Sequence, residues 1–532
     1  MNNLGQFATL RNGETIPRQQ IPHLAFLDFR RVILDAVDAG QRIVALFGDN
    51  SAGTDRVDLY AVLADKSNGQ LHVGMTTLDA ERFCSMTPEC PQAHLFEREI
   101  AEQYGVHPDG HPWFKPVRFH ASYRPNHDAW GRNVGWDSVP TNSASASHSE
   151  GSGRSPNLRI GDTDYYRVEG DEIHEVAVGP VHAGVIEPGH FRFQCYGEQV
   201  FHLEISLGYQ HRGAERTLVG GPNKRTIHTV ETVAGDTTIG HATAYCQAVE
   251  ALAGCVVPRR ADVLRGIVLE LERLANHTGD LGALAGDVGF LPTASYCGRL
   301  RGDFLNLSAL ICGSRFGRGM VRPGGVSFDV DNDRKKLALE RLEGALRDVR
   351  NAAELLFNSA SVQARFEGTG TVTRETAVAL GLVGPAARAC GVPCDVRHDF
   401  PSGIFRFARL PMAISPDGDV FARADLRWQE IQNSVAFIQD ELAAISNFDS
   451  PLRADVGPVQ PDHLAVSLVE GWRGEVCHVA LTDANGRFSR YKIVDPSFHN
   501  WTGLAMSLRD QQISDFPLCN KSFNLSYCGH DL

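Results

Sequence analysis

Cysteine is the residue type in this sequence best suited to metal or redox chemistry, and the chain contains twelve cysteines among 532 residues. A structural zinc site usually combines two close pairs such as C-x-x-C, and the sequence has no such pair. The nearest spacings are Cys390 with Cys394, Cys84 with Cys90, and Cys519 with Cys528. Because each pair is isolated, buried free thiols are favoured, and a four-thiolate site assembled from distant segments remains the alternative.

Histidine, glycine and acidic residues give weaker signals of chemistry. The histidines between 107 and 127 lack the spacing of a zinc motif such as HExxH. The glycine-rich stretches 220–225 and 368–371 lack the GxxxxGK[ST] and GxGxxG patterns, so they are interpreted as turns. Nicotinamide or flavin chemistry would then belong to another subunit. The segment EPGHFR brings Glu187 and Arg192 close together, and by itself it is typical of a polar surface turn.

The hydrophobic pattern of the first quarter of the chain predicts a small α+β domain over residues 1–135. The segments 42–48 and 57–64 have strand character, and 28–40 has the pattern of a helix ended by glycine. Residues 136–158 are rich in Ser, Gly, Asn and Pro, which cannot bury a core. They predict a flexible linker to a second domain.

The remainder of the chain, residues 159–532, predicts a mainly helical domain with peripheral β-structure, so the whole fold is expected to be α+β. Apolar residues at spacings of 3 and 4 line one face of a predicted helix over 261–284. Further helical patterns cover 334–358 and 424–446. The segment 478–494 reads as two strands around an Asn-Gly turn.

Composition excludes several functional classes. The net charge is −13 and lysines and arginines are not clustered, which argues against non-specific nucleic-acid binding. No stretch approaches the roughly 18 apolar residues that span a bilayer, and the first residues lack the pattern of a signal peptide. The sequence therefore predicts a cytoplasmic protein or one peripheral to a membrane.

Several motifs together resemble the large subunits of membrane-bound, formate-hydrogenlyase-type nickel-iron hydrogenases, which are related to the quinone-site subunit of respiratory complex I. The segment HLFEREIAEQYGVHPDGHPWFKP (94–116) is similar to the signature of the thirty-kilodalton-type subunit of complex I. Five further segments match the large-subunit pattern in the same order. They are GPVHAGVIEPGHFRF (179–193), LGYQHRGAE (207–215), ALAGCVVPRRADVLRGIVLELERLANH (251–277), RPGGV (322–326) and PSFHN (496–500). The resemblance covers nearly the whole chain, and the fusion of the two subunits is typical of the formate-hydrogenlyase branch.

The resemblance implies four thiolate ligands for nickel and iron, two in a CGxC segment and two in a terminal DPCxxC segment. At those four positions this chain has Ala234, Thr237, Ser526 and Gly529, none of which is a thiolate. The nickel-iron centre is therefore predicted to be absent. The resemblance also implies an iron-sulfur cluster in a partner small subunit, with no cofactor assigned to this chain itself.

At two other positions of the hydrogenase site, this chain has the residues that the resemblance implies. Glu187 matches a glutamate that passes protons to and from the metals, and Arg473 matches an arginine that overhangs them. With Asp236 these two residues are candidates for proton transfer or for lining a cavity. The alternative is that Glu187 and Arg473 form a buried ion pair or a hydrogen-bonded scaffold.

Three further residues match positions near the surface that faces the iron-sulfur cluster of the partner subunit. They are His211, Arg212 and His277, which are predicted to tune that cluster or to pack the interface. Complex I binds the quinone headgroup through a histidine and a tyrosine, whose positions hold Ile186 and Gly235 here. Quinone binding at the same spot is therefore in doubt, although it stays an alternative.

The resulting prediction is a peripheral-arm large subunit of a membrane-bound, complex-I-related oxidoreductase, located at the cytoplasmic face of the inner membrane without a transmembrane segment. It would couple electron transfer from the iron-sulfur small subunit to proton or ion movement through antiporter-like membrane subunits, and it would not itself be an active hydrogenase. A quinone reductase subunit of the NADH:quinone type and a non-catalytic scaffold subunit are the alternatives.

Overall fold

The first part of the chain forms a small antiparallel sheet covered by two helices. The computed structural model describes residues 3–50, 55–131, 164–182 and 187–532, so the predicted linker lies outside the described residues. The strands are β1 (Ala8–Leu10), β2 (Glu14–Pro17), β3 (Arg42–Asp49), β4 (Val57–Asp65), β5 (Gln70–Leu78), β6 (Arg82–Cys84) and β7 (His107–Asp109). The helices are α1 (Phe26–Asp38) and α2 (His94–Tyr104).

Strands β3 and β4 confirm the two strand predictions, and α1 confirms the helix predicted at 28–40. The sheet has the order β1-β5-β4-β3, with every neighbouring pair antiparallel. Helix α1 ends just before Gly40, whose φ of +90° belongs to the left-handed region that glycine adopts without steric cost.

The second part contains most of the helices. The remaining strands are β8 (Ile173–Val178), β9 (His190–Tyr196), β10 (Gln199–Ser206), β11 (Val321–Arg322), β12 (Gly325–Val326), β13 (His463–Gly471), β14 (Gly474–Thr482) and β15 (Phe488–Val494). The helices up to the middle of this part are α3 (Ala214–Leu218), α4 (Thr226–Val230), α5 (Thr238–Ala253), α6 (Arg259–Asp287), α7 (Leu291–Cys312), α8 (Asn332–Phe357) and α9 (Ala360–Phe366). The later helices are α10 (Arg374–Leu380), α11 (Gly384–Arg388), α12 (Val396–Asp399), α13 (Val420–Ala444), α14 (Pro496–Ser507), α15 (Phe516–Phe523) and α16 (Tyr527–His530).

Helix α6 is the centre of the helical part and confirms the periodic pattern at 261–284. Its apolar stripe, which includes Leu264, Ile267 and Leu274, is fully buried. Helices α7 and α13 pack against it. Helices α8 and α13 confirm the patterns at 334–358 and 424–446. No helix in the described part of the chain is long and apolar enough to cross a membrane.

One sheet joins the two parts of the chain. This sheet has four strands in the order β15-β14-β13-β2. Strands β13, β14 and β15 belong to the second part of the chain, and β2 from the first part pairs with β13. On β13, Leu464 and Val466 belong to the core of the first part, whereas Ala465 and Val469 belong to the helical core. Because both faces are covered, this sheet lies deeper than the peripheral β-structure expected. The mixed α and β class is confirmed.

Candidate functional site

The site is built where three distant segments meet: the loop before α5, the turn between β13 and β14, and the last ten residues of the chain. Arg473 lies in that turn and joins all three. Its Nη1 and Nη2 atoms donate to the two carboxylate oxygens of Asp236 at 2.6 and 2.7 Å. Nη1 also donates to Oγ1 of Thr237 at 3.2 Å, and Nε donates to the carbonyl oxygen of Asn524 at 2.6 Å. We call these four residues the Arg473 site.

Local backbone geometry fixes the position of Arg473. The turn after β13 ends at Gly474, whose φ is +128°, and Gly384 at the start of α11 packs directly against it. A Cβ atom added at Gly384 would lie 2.3 Å from the Cα atom of Gly474, so only glycine permits this approach. Asn524 ends α15 in the left-handed conformation, with φ of +46°, which asparagine tolerates better than most residues.

Of the positions where the resemblance implies metal ligands, Thr237 lies within the Arg473 site and Ser526 lies beside it in the last segment. Ala234, Thr237 and Ser526 are all buried. The hydroxyl of Ser526 accepts a hydrogen bond from the backbone N–H of Gly529 at 2.9 Å. Arg473 therefore connects the loop before α5, which holds Thr237, with the last segment of the chain, which holds Ser526.

The carboxylate of Asp495 occupies the space next to Gly529. A Cβ atom added at Gly529 would lie 2.6 Å from the carboxyl carbon of Asp495. That carboxylate is held by the ring of His241, 3.1 Å away, and by the backbone N–H of Ser497, which donates at 2.8 Å. A larger side chain at position 529 would have to displace this buried acid.

Glu187 is half-buried and contacts the last segment rather than Arg473. Its Oε2 atom accepts a hydrogen bond from the backbone N–H of Cys528 at 3.2 Å. Burial, with the nearby Glu187 carboxylate, raises the pKa of the Cys528 thiol, which disfavours its thiolate. The contacts thus pair Arg473 with Asp236, and not with Glu187. Ile186 lies outside the described residues.

A buried row of side chains leads away from Asp495 and was not predicted from the sequence. The second ring nitrogen of His241 lies 3.1 Å from Nε2 of His478, and Nδ1 of His478 lies 2.9 Å from the hydroxyl of Tyr491. Burial and then His241 lower the pKa of His478, so this ring is neutral at physiological pH. Of the four residues in this row, only Asp495 could have been noticed in the sequence, because an acid directly before a proline is typical of the N-cap of a helix.

Glu272 is a second acid near the site that sequence reasoning missed. Its carboxyl accepts hydrogen bonds from the backbone N–H groups of Ile239 at 2.7 Å and Gly240 at 3.2 Å, at the start of α5. Burial raises the pKa of Glu272 to about 8, and the neighbouring Asp236 carboxylate acts in the same direction. Glu272 can therefore carry a proton at neutral pH beside the Arg473 site.

The three residues predicted to face a partner's cluster lie in different environments. His211 is half-buried and stacks on His120, with the ring centroids 4.7 Å apart; burial and then His120 lower its pKa to about 4. Arg212 is exposed and donates to two backbone carbonyls. His277 is fully buried and does not reach the surface, because α6 turns it inward toward Glu430, 2.7 Å away. Their role toward a cluster stays a prediction.

The cysteines do not gather at the site. All twelve are free thiols in the structure, and eight of them are buried. Among the residues that the structure describes, no group of three or more His, Cys, Asp or Glu side chains is placed to hold a metal ion.

Comparison with known proteins gives the family. Residues 25–127 match the family described as respiratory-chain NADH dehydrogenase, 30 Kd subunit, and residues 287–455 match the 49 Kd subunit. The chain is 32% identical over 354 residues to the carbon monoxide-induced hydrogenase of Rhodospirillum rubrum, covering 66% of this chain and 97% of that protein. It is 29% identical over 452 residues to hydrogenase-4 component G of Escherichia coli, covering 84% and 76%.

A relative from complex I matches as well. NADH-quinone oxidoreductase subunit 4 of Thermus thermophilus is 28% identical over 378 residues, covering 65% of this chain and 90% of that protein. The names of these relatives describe components and subunits of larger assemblies, and a further relative from Pyrococcus furiosus is named a membrane-bound hydrogenase subunit. The chain therefore belongs to the family of complex-I-related, hydrogenase-like large subunits, with the 30 Kd and 49 Kd modules joined in one polypeptide.

Proposed function

We propose that this chain couples electron arrival from an iron-sulfur small subunit to proton movement at the Arg473 site, within a membrane-bound complex and without a nickel-iron centre. The observation that carries the proposal is that no thiolate stands at the implied ligand positions and that Arg473 there binds the Asp236 carboxylate, the Thr237 hydroxyl and the Asn524 carbonyl. The partner small subunit and antiporter-like membrane subunits, and the location at the cytoplasmic membrane face, are part of the proposal.

The residues at the implied ligand positions do not fit a nickel-iron centre. Nickel and iron of this kind require soft sulfur donors, whereas Thr237 and Ser526 offer hydroxyl oxygens and Ala234 offers none. At the fourth position, Asp495 takes the space that a cysteine side chain at Gly529 would need. The pKa of the nearby Cys528 is raised, so its sulfur is a poor substitute. No step of the proposal uses these metals.

Proton handling is the chemistry that the remaining groups support. Glu187 is half-buried at the edge of the site, and Glu272 is buried beside Asp236 with a pKa of about 8. An electron added to the iron-sulfur cluster of the partner small subunit would increase negative charge next to a region of low dielectric constant, which raises the affinity of such carboxylates for a proton. Glu187 and Glu272 are therefore the groups that would take up protons when the complex is reduced.

A quinone or another small molecule is the alternative substrate, and one observation favours it. At Gly235, no described atom lies within 4 Å of the point where a Cβ atom would be. Position 235, which holds the tyrosine in complex I, is therefore not packed against neighbouring atoms and leaves room for a ligand. A ligand that fits there would lie next to Asp236, the neighbouring residue in sequence.

Two measurements on the intact purified complex test the proposal. Elemental analysis is expected to find no stoichiometric nickel; one nickel per chain would overturn the metal-free assignment. Reduction by a viologen in weakly buffered solution, followed by a pH-sensitive dye, is expected to show proton uptake that is smaller in Glu187→Gln. The matched control is Glu198→Gln, an exposed acid after β9.

Each outcome separates the candidate functions. Equal proton uptake in Glu187→Gln and Glu198→Gln, with both complexes assembled, would favour the scaffold role. Proton uptake that depends on an added short-chain quinone, and that a headgroup analogue abolishes, would favour quinone reduction. Uptake without quinone supports the proposal as stated.

A further inference from the structure

A cavity of about 520 Å³ lies between the first part of the chain and helices α10 to α12, away from the Arg473 site. We call it the interdomain cavity. Its wall includes Arg42 and Asp65 from the first part and Arg374, Asp399, Glu470 and Glu475 from the second. Glu470 is almost completely buried from bulk solvent, yet it lines this cavity and has no assigned role.

Glu470 is connected to the Arg473 site by a row of buried polar and charged side chains. Starting from the site, Nδ2 of Asn524 donates to Oδ1 of Asp280 at 2.5 Å. The other carboxylate oxygen of Asp280 lies 3.8 Å from Nδ1 of His277, and Nε2 of His277 lies 2.7 Å from Oε2 of Glu430. Each of Asp280, His277 and Glu430 is buried, so water screens their charges little.

Arg388 completes the connection by contacting two glutamates. Its Nη2 atom pairs with Oε1 of Glu430, and its Nη1 atom donates to Oε1 of Glu470 at 2.8 Å. Arg388 is fully buried and cannot lose its own proton, since a guanidinium stays charged in proteins. Its single charge is therefore shared among Glu430, Glu470 and Asp395, whose carboxylate lies 3.6 Å from Nη1, and a change at Glu430 alters the compensation of Glu470.

We propose that Glu470 exchanges a proton with water in the interdomain cavity in response to a charge change at the Arg473 site, through Asp280, His277, Glu430 and Arg388. The inference rests on the proposed function. When the iron-sulfur cluster of the partner small subunit takes up an electron, the added negative charge draws Arg388 toward the Arg473 site. Arg388 then compensates Glu430 more and Glu470 less. The Glu470 carboxylate binds a proton that cavity water delivers from the solvent and becomes a neutral carboxyl, and oxidation of the cluster reverses the step.

The surroundings of Glu470 favour such an exchange. Burial and then the nearby Asp395 carboxylate raise the pKa of Glu470, while Arg388 and other cations oppose them. The backbone N–H of Val396 donates to its second oxygen at 3.0 Å. The charged and titratable groups around it, element by element, are Arg273 on α6, Arg388 on α11, Cys394, Asp395 and Arg397 at α12, Glu430 on α13, and Glu475 on β14.

Glu475 provides a matched control on the same hairpin and the same cavity. It is the direct cross-strand neighbour of Glu470 and is also buried. Its carboxylate pairs with Arg42 at 2.5 Å, and not with Arg388, which pairs with Glu430 and Glu470. Glu475→Gln therefore removes a comparable buried acid from the cavity wall and leaves the connection to the Arg473 site in place.

Infrared difference spectroscopy of the intact complex tests the titration of Glu470 without any turnover. A carboxyl C=O band that grows as the pH falls through the neutral range is expected in the wild type and in Glu475→Gln, in addition to the signal of Glu470→Gln, in which Glu272 still titrates. Identical carboxyl bands in the wild type and in Glu470→Gln would overturn the assignment. Glu470→Asp, which keeps the carboxyl, serves if Glu470→Gln fails to assemble; it is expected to retain the band at a shifted pH, and an unshifted band would contradict the assignment.

Reduction of the same samples by a viologen tests the connection to the site. In the wild type and in Glu475→Gln the band is expected to increase on reduction, and proton uptake is expected to be smaller in Glu470→Gln by the proton that Glu470 would bind. A band that titrates with pH but does not respond to reduction would overturn the connection. If the wild type takes up no proton at all on reduction, the proposed function fails, whereas the titration of Glu470 is judged separately by its band.

Discussion

The pairing of Asp236 with Arg473 leads to the most direct prediction. Asp236→Asn keeps the shape of the side chain, but its single amide oxygen can accept only one of the two hydrogen bonds that Arg473 donates at 2.6 and 2.7 Å, and its NH2 group faces the other donor. A hydrogen bond to a charged group contributes about 1.5–3 kcal/mol, so the loss of one bond costs about 2 kcal/mol. The Asp236 side chain is 32% exposed, and this solvent access lowers the expected loss to about 1–2 kcal/mol.

Urea unfolding of the chain, followed by tryptophan fluorescence, measures this loss, because Trp472 packs directly on the guanidinium of Arg473. The control is Asp303→Asn, which removes an exposed ion pair with Arg299 and is expected to change the free energy of unfolding by less than about 0.5 kcal/mol. Arg473→Lys, combined with Asp236→Asn in a double-mutant cycle, isolates the pair. A stability of Asp236→Asn equal to that of Asp303→Asn would refute the assignment of Asp236 as the main partner of Arg473.

Three further outcomes are expected. Gly384→Ala should lower the melting temperature, because the left-handed conformation alone costs about 1–2 kcal/mol and its Cβ would overlap Gly474; Gly40→Ala, which has positive φ but no close neighbour, should lose less, and equal losses would exclude the contact. Burial raises the pKa of Asp495, but the hydrogen bond from His241 and the charge of Arg473 outweigh it, so the pKa lies below its unfolded value. Its contribution to stability is therefore present above about pH 4 and lost as the pH falls, so the difference between wild type and Asp495→Asn in urea unfolding should shrink from pH 6 to pH 3; a constant difference would contradict this. Titration with a thiol reagent should find twelve thiols in denaturant, and the exposed Cys84 should react first in the folded chain, a phase that Cys84→Ser removes; an unchanged fast phase in that variant would be the contrary result.

The regular elements could be predicted because their signals are local. The spacing of Leu264, Ile267 and Leu274 requires only that one face of α6 meets a core, and the glycine at position 40 ends α1 by its own conformational freedom. The register of the family motifs likewise places Thr237 and Ser526 at the implied ligand positions. The depth of the sheet β13–β15 could not be predicted, because β2 that pairs with it lies more than 400 residues away in sequence.

The sequence by itself determined which chemical groups are present: alanine, threonine, serine and glycine at the positions where the family has thiolates, with an arginine and several acids elsewhere in the matching motifs. Only the tertiary structure decided how they pair. Asp236, rather than Glu187, is the partner of Arg473, and His277 points into the core toward Glu430. These contacts join segments 150 to 240 residues apart. Such long-range pairing follows from which buried charges must neutralise one another after the helices and the shared sheet have packed, and no local pattern encodes it.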